Sequence, residues 1–346
     1  MGNMKFLHIA DLHIGAKNSK LPKAQQTVLT DEMFEKIHYF FNTIAPEFDA
    51  VVICGDLFHS KNVSAKIEKH FFACVDAYAK PVIYIVGNHD EKTDFSCNCE
   101  NFIVLNKLNP KVRIEDTVFH CKCDNITLEE GANNVLLLHG NIESSQDNDY
   151  VDIAPYLAMN FDYIALGHTH QVKKFKKKEK IFAYSGSLFS NGFDETGDKG
   201  YIEVEIAQNE VKKCNFVPLK QRKYQLCEVD ISTCNSNGEI VEQIRRELSN
   251  KNIDNSDIVR VVLKGSHDEL LVKSESIILQ ALEDLFYVEI KDQSKMKVDI
   301  EKLKTETLSL KNEFISLVEN SALTDEQKQK IIALGIEALK GDDLSL

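Results

Sequence analysis

VVICGDLFH, at residues 51–59, opens with four apolar residues and turns polar at Gly55-Asp56. A short apolar run that ends at a glycine is typical of a β-strand buried on both faces. Four further runs of four or five mainly apolar residues show the same character. They occupy residues 6–10, 82–86, 135–138 and 163–166. We therefore expect a sheet core built from buried strands.

Helical segments separate these runs. Residues 30–42 carry apolar side chains from Met33 to Phe41 with the 3.6-residue period of an amphipathic helix, and residues 64–78 show the same period. Strands that alternate with helices build layered α/β structures. The sequence thus predicts an α/β fold for residues 1–222, a layered core of β-sheets flanked by helices.

The pattern changes after residue 222. Residues 223–293 predict a small α+β domain, which we expect to cap the first one. Its predicted elements are a strand at 225–231, a helix at 239–248, a strand at 258–263, a helix at 276–285 and a strand at 286–290.

Residues 294–346 predict a helical tail. Apolar residues mark its first helix: Ile300, Leu303, Leu310, Phe314, Leu317 and Val318. A capping box from Thr324 to Gln327 predicts the start of a second helix, and Gly341 would end it. Such a helix pair either packs on its own domain or docks onto a partner.

Composition excludes several classes of protein. The 346 residues carry a formal net charge of −13, whereas proteins that bind nucleic acid unaided are usually basic. A metal site stays possible, because bound cations dominate their local field. The nine cysteines, the start MGNMKFLHIADLH without a signal peptide, and the lack of a long apolar run predict a cytoplasmic protein with reduced thiols and no membrane segment.

Each buried run ends in polar residues that can bind a metal. Because ligands bind at the carboxyl ends of strands in an open α/β sheet, we expect these groups to converge on one edge. The residues in question are Asp11 and His13, Asp56, Asn88 with His89 and Asp90, His139, and His168 with His170.

These residue types suit Mn, Fe or Zn, and they exceed what a single ion would use. A shared carboxylate could hold two ions about 3.5–4 Å apart, the spacing used for phosphate-ester displacement. If strand alternation holds, Asp11 and His13 point to the same side, as do His168 and His170. Adjacent residues diverge instead, which predicts a ligand at Asn88 and a catalytic group at His89.

The order D-x-H, G-D, G-N-H-D, H-G and G-H-x-H over residues 6–170 resembles the signature of calcineurin-like metallophosphoesterases. A narrower resemblance is to SbcD-like DNA-repair exonucleases. It rests on HIADLHIG at 8–15, GDLFHS at 55–60 and YSGSLFSNGFDETGDKGYIEVEI at 184–206, followed by the small domain and the helical tail.

The resemblance implies a metal-dependent DNA exonuclease/endonuclease with two divalent ions, usually manganese. One ion would be held by Asp11, His13, Asp56 and His170, and the other by Asp56, Asn88, His139 and His168. His89 would act in catalysis, and His59 would lie near the DNA. Asp90 either orients His89 or has only a role in the turn. The resemblance also implies an SbcC-like, SMC-type ATPase as partner, and we further expect a homodimer.

Other interpretations remain open at this point. A phosphatase or a cyclic-nucleotide phosphodiesterase could use the same core, and a scaffold that no longer cuts could retain the metals. The basic run that includes Lys173 and Lys174 is either a contact to the DNA backbone or a solvated hairpin. The pairs Cys97/Cys99 and Cys121/Cys123 either bind zinc, with poor spacing for it, or are free thiols.

Overall fold

The structure is a computed structural model of the full chain. It divides into two compact units, Met1–Tyr224 and Gln225–Leu346. The residues it describes are 2–60, 62–89, 95, 99–178, 180–268, 271–297 and 310–340.

The described part of the first unit contains two six-stranded sheets. Its strands are β1 (Met4–Ile9), β2 (Ala50–Cys54), β3 (Val82–Ile85), β4 (Phe102–Leu105), β5 (Lys111–Ile114), β6 (Thr117–Cys121), β7 (Asn133–His139), β8 (Tyr163–Gly167), β9 (Lys173–Lys177), β10 (Lys180–Tyr184), β11 (Gly200–Ala207) and β12 (Glu210–Pro218). The first sheet has the order β12-β11-β1-β2-β3-β4, and the second has the order β5-β6-β7-β8-β10-β9. All five predicted strands are present.

Both sheets are parallel at their centres. Strands β1 to β4 pair in parallel, as do β6, β7, β8 and β10, while antiparallel strands flank them. The two sheets pack face to face: the Phe6 ring lies edge-on to Phe119 at 5.3 Å and to Tyr163 at 6.0 Å. All three rings are fully buried, and each contributes roughly 1.5–3 kcal/mol by leaving water.

Helices cover the outer face of the first sheet. They are α1 (Lys23–Tyr39) and α2 (Ala65–Tyr78), and the short α3 (Ala154–Leu157) lies over the second sheet. Helix α2 begins as predicted, with the Ser64 hydroxyl accepting a hydrogen bond from the Ile67 amide at 3.4 Å. Helix α1 begins seven residues before the predicted position. The sequence did not reveal this start, because the first turns of the helix face solvent and lack an apolar period. It continues into a π-helix at Phe40–Ile44.

The described residues between 224 and 296 form a small α+β arrangement. Its elements are β13 (Tyr224–Asp230), α4 (Asn237–Asn250), β14 (Ile258–Lys264), β15 (Ser266–His267), α5 (Glu275–Ala281), β16 (Tyr287–Asp292) and β17 (Lys295–Met296). The described strands form a three-stranded sheet β13-β14-β16 and a two-stranded sheet β15-β17. Apolar side chains of α4 and α5 pack on β13 and β14.

The tail forms two helices, α6 (Leu310–Glu319) and α7 (Asp325–Lys340), which pack through Ile315, Val318 and Ile332. The predicted capping box is confirmed, since Thr324 Oγ1 accepts from the Gln327 amide and Gln327 Oε1 accepts from the Thr324 amide. The predicted positions Ile300, Leu303 and Gly341 lie outside the described residues. Within the described part of the chain, no helix has the length and apolar character that crossing a membrane requires.

Candidate metal centre

The chain turns sharply where the strands end. Asp11, His13, Asp56 and His168 have φ values of 50°, 44°, 51° and 96°. Residues other than glycine rarely adopt this left-handed region, and such strain clusters at functional sites. The expected strand alternation therefore does not apply, because these residues lie at or beyond the strand ends. The turns bring their side chains together nevertheless.

The edge that carries these residues belongs to two sheets. Asp11, Asp56 and Asn88 follow strands of the first sheet, while His139 and His168 come at the ends of strands in the second. The His139 Nδ1 atom lies 2.8 Å from the carbonyl oxygen of Cys54, so the two edges are adjacent. The predicted residues thus come together as expected, but at the adjacent edges of two packed sheets rather than at the edge of one sheet.

Asp56 occupies the centre of the cluster. Its Oδ2 atom lies 3.6 Å from His13 Nε2 and 3.5 Å from His139 Nε2, and its Oδ1 atom accepts a hydrogen bond from the His89 amide at 3.0 Å. The side chain is only 2% exposed. This carboxylate therefore lies between two histidines that follow strands of different sheets.

Asp11 is fully buried beside it. Both of its carboxylate oxygens accept from the His168 amide at 3.0 Å. Asp11 forms a group of potential metal ligands with His13 and His170, and another with Asp56 and His139, each within 4.8 Å. Asp11 thus belongs to both of these groups of potential ligands.

His139 presents a lone pair to its neighbours. A carbonyl oxygen can only accept, so the contact to Cys54 places the proton of a neutral His139 on Nδ1. Its Nε2 atom then faces the side-chain oxygen of Asn88 at 2.9 Å and the carboxylate of Asp56. Three electron-pair donors converge on one point, an arrangement that only a proton or a cation between them can stabilise.

His170 shows the same feature on the other side. Its Nδ1 atom lies 2.5 Å from Glu195 Oε1, so a neutral ring donates there and turns Nε2 toward His13 Nε2 at 3.1 Å. Glu195 also accepts from Ser187 Oγ at 3.2 Å, and the buried Lys199 donates to the His170 carbonyl oxygen at 2.7 Å. A carboxylate that fixes a histidine in this way is common around protein metal sites.

The donor set fits two divalent cations. Carboxylate oxygen, amide oxygen and imidazole nitrogen suit metals of intermediate hardness. Asp56 lies near His139 and near His13, and His13 in turn contacts His170. The residues present therefore include several groups that could hold a divalent cation.

Comparison with known proteins identifies the fold family. A family model described as calcineurin-like phosphoesterase matches residues 4–172. Residues 4–172 form a calcineurin-like phosphoesterase domain. The matched segment holds all the strand-end residues from Asp11 to His170, and the enzyme is accordingly a metal-dependent phosphoester hydrolase.

Curated relatives of the phosphoesterase show modest identity. It is 23% identical over 307 residues to the uncharacterized metallophosphoesterase YhaO of Bacillus subtilis, covering 79% of this chain and 74% of that protein. It is 24% identical over 358 residues to the SbcD component of nuclease SbcCD from Staphylococcus epidermidis, covering 85% and 91%. It is 26% identical over 271 residues to the DNA double-strand break repair protein Mre11 of Archaeoglobus fulgidus, covering 66% and 59%.

Buried charge shapes the electrostatics of the phosphoesterase site. Burial raises the pKa of Asp11 to about 6 and lowers that of His13 to about 4. Burial would also raise the pKa of Asp56, but the hydrogen bond and charge of His139 outweigh it and lower the pKa to about 2. Burial opposes a charge on His139, yet Asp56 and Asp11 raise its pKa to about 9. The carboxylates thus favour a positive charge at the position where Nε2 points.

Two exposed histidines adjoin the cluster. The centroid of the His89 ring lies 5.0 Å from that of the His13 ring. The His59 ring stacks on the His89 ring, with centroids 6.2 Å apart and planes inclined by 16°. The structure therefore places both predicted residues beside the cluster. Asp90, considered for orienting His89, lies outside the described residues.

The predicted lysines of the basic run contact other protein groups. Lys173 pairs with Glu143 and Lys174 donates to the Cys214 carbonyl oxygen at 2.8 Å, both from the edge strand β9 of a hairpin. Of the four cysteines considered for zinc, Cys97 lies outside the described residues. In the part of the chain that the structure describes, no group of potential metal ligands contains a cysteine.

Sequence reasoning missed three carboxylates near the site. Glu195 contacts His170, while Asp147 and Asp149 form a group with His168. Glu195 lies within the segment 184–206 that carries the family resemblance, which was a usable signal. The two aspartates lie in an ordinary polar loop, and nothing in their spacing points to the site.

Proposed function

We propose that this enzyme is a metal-dependent DNA nuclease that hydrolyses phosphodiester bonds by a two-metal mechanism in DNA repair. The relatives named as nuclease SbcCD and as the break-repair protein Mre11 support DNA as the substrate. One observation carries the two-metal part of the proposal: Asp56 Oδ2 lies 3.5–3.6 Å from Nε2 of both His139 and His13. That position is the one a carboxylate shared between two cations requires.

We take the ligand sets from the family resemblance, and the contacts of His139 with Asn88 and Asp56 support part of the second set. The first cation would be held by Asp11, His13, Asp56 and His170, and the second by Asp56, Asn88, His139 and His168. When bound, the cations neutralise charge on the phosphate and lower the pKa of a water molecule. We take manganese as the native metal.

His89 would serve as the catalytic side chain. Its amide is held by Asp56 Oδ1 at 3.0 Å, which fixes the backbone next to the cluster, while its ring is exposed to solvent. From there it can protonate the leaving oxygen or stabilise charge in the transition state. His59 stacks on this ring and would help to keep it in place.

A partner would supply much of the grip on DNA. The net charge of −13 opposes tight binding of a polyanion by this chain alone. We propose an SbcC-like, SMC-type ATPase as that partner, with the helical pair α6–α7 as its docking segment. Leu317 of α6 is 70% exposed, which leaves an apolar side chain available for such a contact. We propose a homodimer as the working state.

Hydrolysis assays on the full chain test the proposal. We expect manganese-dependent degradation of linear duplex DNA, enhanced by the ATPase partner. Turnover of p-nitrophenyl phosphate or cyclic nucleotides without DNA cleavage would replace the nuclease with a phosphatase or a cyclic-nucleotide phosphodiesterase. Two bound metals without turnover of any of these substrates would indicate a scaffold.

A further inference from the structure

Asn88 is the one side-chain amide among the proposed ligands, and it can face the metal in two ways. Its amide carries an oxygen that can bind a cation and a nitrogen that cannot. A rotation of 180° exchanges the two at almost no change in shape. A contact from outside the ligand set that selects the productive orientation in advance would strengthen metal binding.

Asp149 provides that selection. Its Oδ2 atom accepts a hydrogen bond from Asn88 Nδ2 at 3.2 Å. An ionised carboxylate can only accept, so the reversed amide would bring two oxygens together at this position. With the nitrogen held by Asp149, the Asn88 oxygen faces His139 Nε2 at 2.9 Å.

The loop that follows β7 holds Asp149 in place. The Asp149 amide donates to Asp147 Oδ1 at 3.0 Å, and Asn141 Nδ2 donates to Asp147 Oδ2 at 2.8 Å. The Asn141 amide donates to the Asp149 carbonyl oxygen at 2.9 Å. Asp149 is therefore presented by a hydrogen-bonded loop rather than by an unrestrained side chain.

The same loop approaches a second ligand of that cation. Asp147 Oδ2 lies 4.0 Å from His168 Nε2. His170, a ligand proposed for the other cation, is instead fixed by Glu195, from a different segment. The two halves of the site thus depend on separate supports.

We propose that Asp149 is a positioning residue for the second cation alone, orienting Asn88 so that its oxygen faces the metal. The inference rests on the proposed two-metal function. Loss of Asp149 would leave the first cation, bound through Asp11, His13 and His170, with unchanged affinity.

Manganese binding to the full chain, measured by calorimetry after chelator treatment, tests this. We expect two ions in the wild type. In Asp149→Ala one ion should bind with unchanged affinity while the other weakens about 10- to 100-fold, the range for such supporting contacts. Asp149→Asn keeps an acceptor oxygen and should lose less. Asn148→Ala, an exposed neighbour in the loop, serves as the matched control and should bind both ions normally.

A double mutant separates orientation from simple charge attraction. In Asn88→Asp both oxygens can bind a cation, so no orientation remains to be selected. Asp149→Ala should then weaken neither ion, because in that background it also removes a carboxylate that repels the new one. An equal loss of affinity in both backgrounds would overturn the proposal, as would equal weakening of both ions in the single mutant. Fewer than two ions in the wild type would reject the two-metal function itself, and the inference with it.

Discussion

Replacing Gly87 with alanine should dismantle the metal centre. A Cβ atom at residue 87 would lie 2.0 Å from Asp56 Oδ1 and 2.4 Å from the Asp56 amide nitrogen. Because ordinary contacts between non-bonded heavy atoms are about 3.5–4 Å, the carboxylate or its backbone must move by roughly 1 Å or more. Catalytic groups must be held within about 0.5 Å of their productive geometry. We therefore expect the shared ligand to be lost.

The size of the effect can be bounded. A misplacement of about 1 Å can reduce catalysis roughly 100-fold, and overpacking a filled interior costs about 1–3 kcal/mol. Manganese calorimetry, cleavage of bis(p-nitrophenyl) phosphate and duplex DNA, and thermal unfolding would measure the three consequences. Gly192→Ala is the matched control, since a Cβ there would meet nothing within 4 Å.

The expected pattern is loss of metal and cleavage in Gly87→Ala with a folded chain, and no change in Gly192→Ala. Circular dichroism separates this from global unfolding. A Gly87→Ala protein that binds two manganese ions with wild-type affinity and cleaves at the wild-type rate would show the prediction to be wrong, because Asp56 would then tolerate a displacement that the structure forbids.

Four further substitutions test the metal centre and other parts of the molecule. Burial lowers the pKa of His8 from 6.5 to about 3, so the unfolded chain binds the extra proton and stability falls as pH drops below 6.5; about 2 kcal/mol should be lost between pH 7 and pH 5. His8→Gln should remove this pH-dependent loss of stability, as measured by urea unfolding of the metal-free protein at pH 7 and pH 5. If the variant and the wild type lost equal stability between these pH values, the prediction would be wrong. His89→Ala should keep both metals and lose DNA cleavage, while Asp56→Ala should lose both metals. Metal analysis and nuclease assays on the two variants measure these effects, and normal cleavage by either variant would reject these roles. Gly335→Ala would place a Cβ 2.2 Å from the Phe314 ring and should lower the melting temperature of the tail while leaving metal binding intact.

Much of the first unit could be predicted from local sequence. Residues 51–54 and 163–166 are short runs of branched, apolar residues, and both form buried strands. Polar groups at strand ends are constrained by topology, since parallel strands deliver them to one edge. That constraint accounts for Asp56 and Asn88 at one edge, whereas the meeting of Asp56 with His139 depends on how the two sheets pack.

Other features depend on contacts between distant segments. The left-handed backbone of Asp11 and His13 has no local sequence signal, because neither residue is glycine. Asp149 meets Asn88 across 61 residues, and Glu195 meets His170 across 25. Such pairings are set by how loops pack over the sheet edge, which residue spacing does not encode.

Anomalous scattering from a manganese-soaked crystal is the most decisive test of a carboxylate shared between two cations. We expect two peaks in the first unit that share Asp56, one also contacting His13 and His170, the other also contacting Asn88 and His139. A single peak, or two peaks without Asp56 between them, would contradict the two-metal centre.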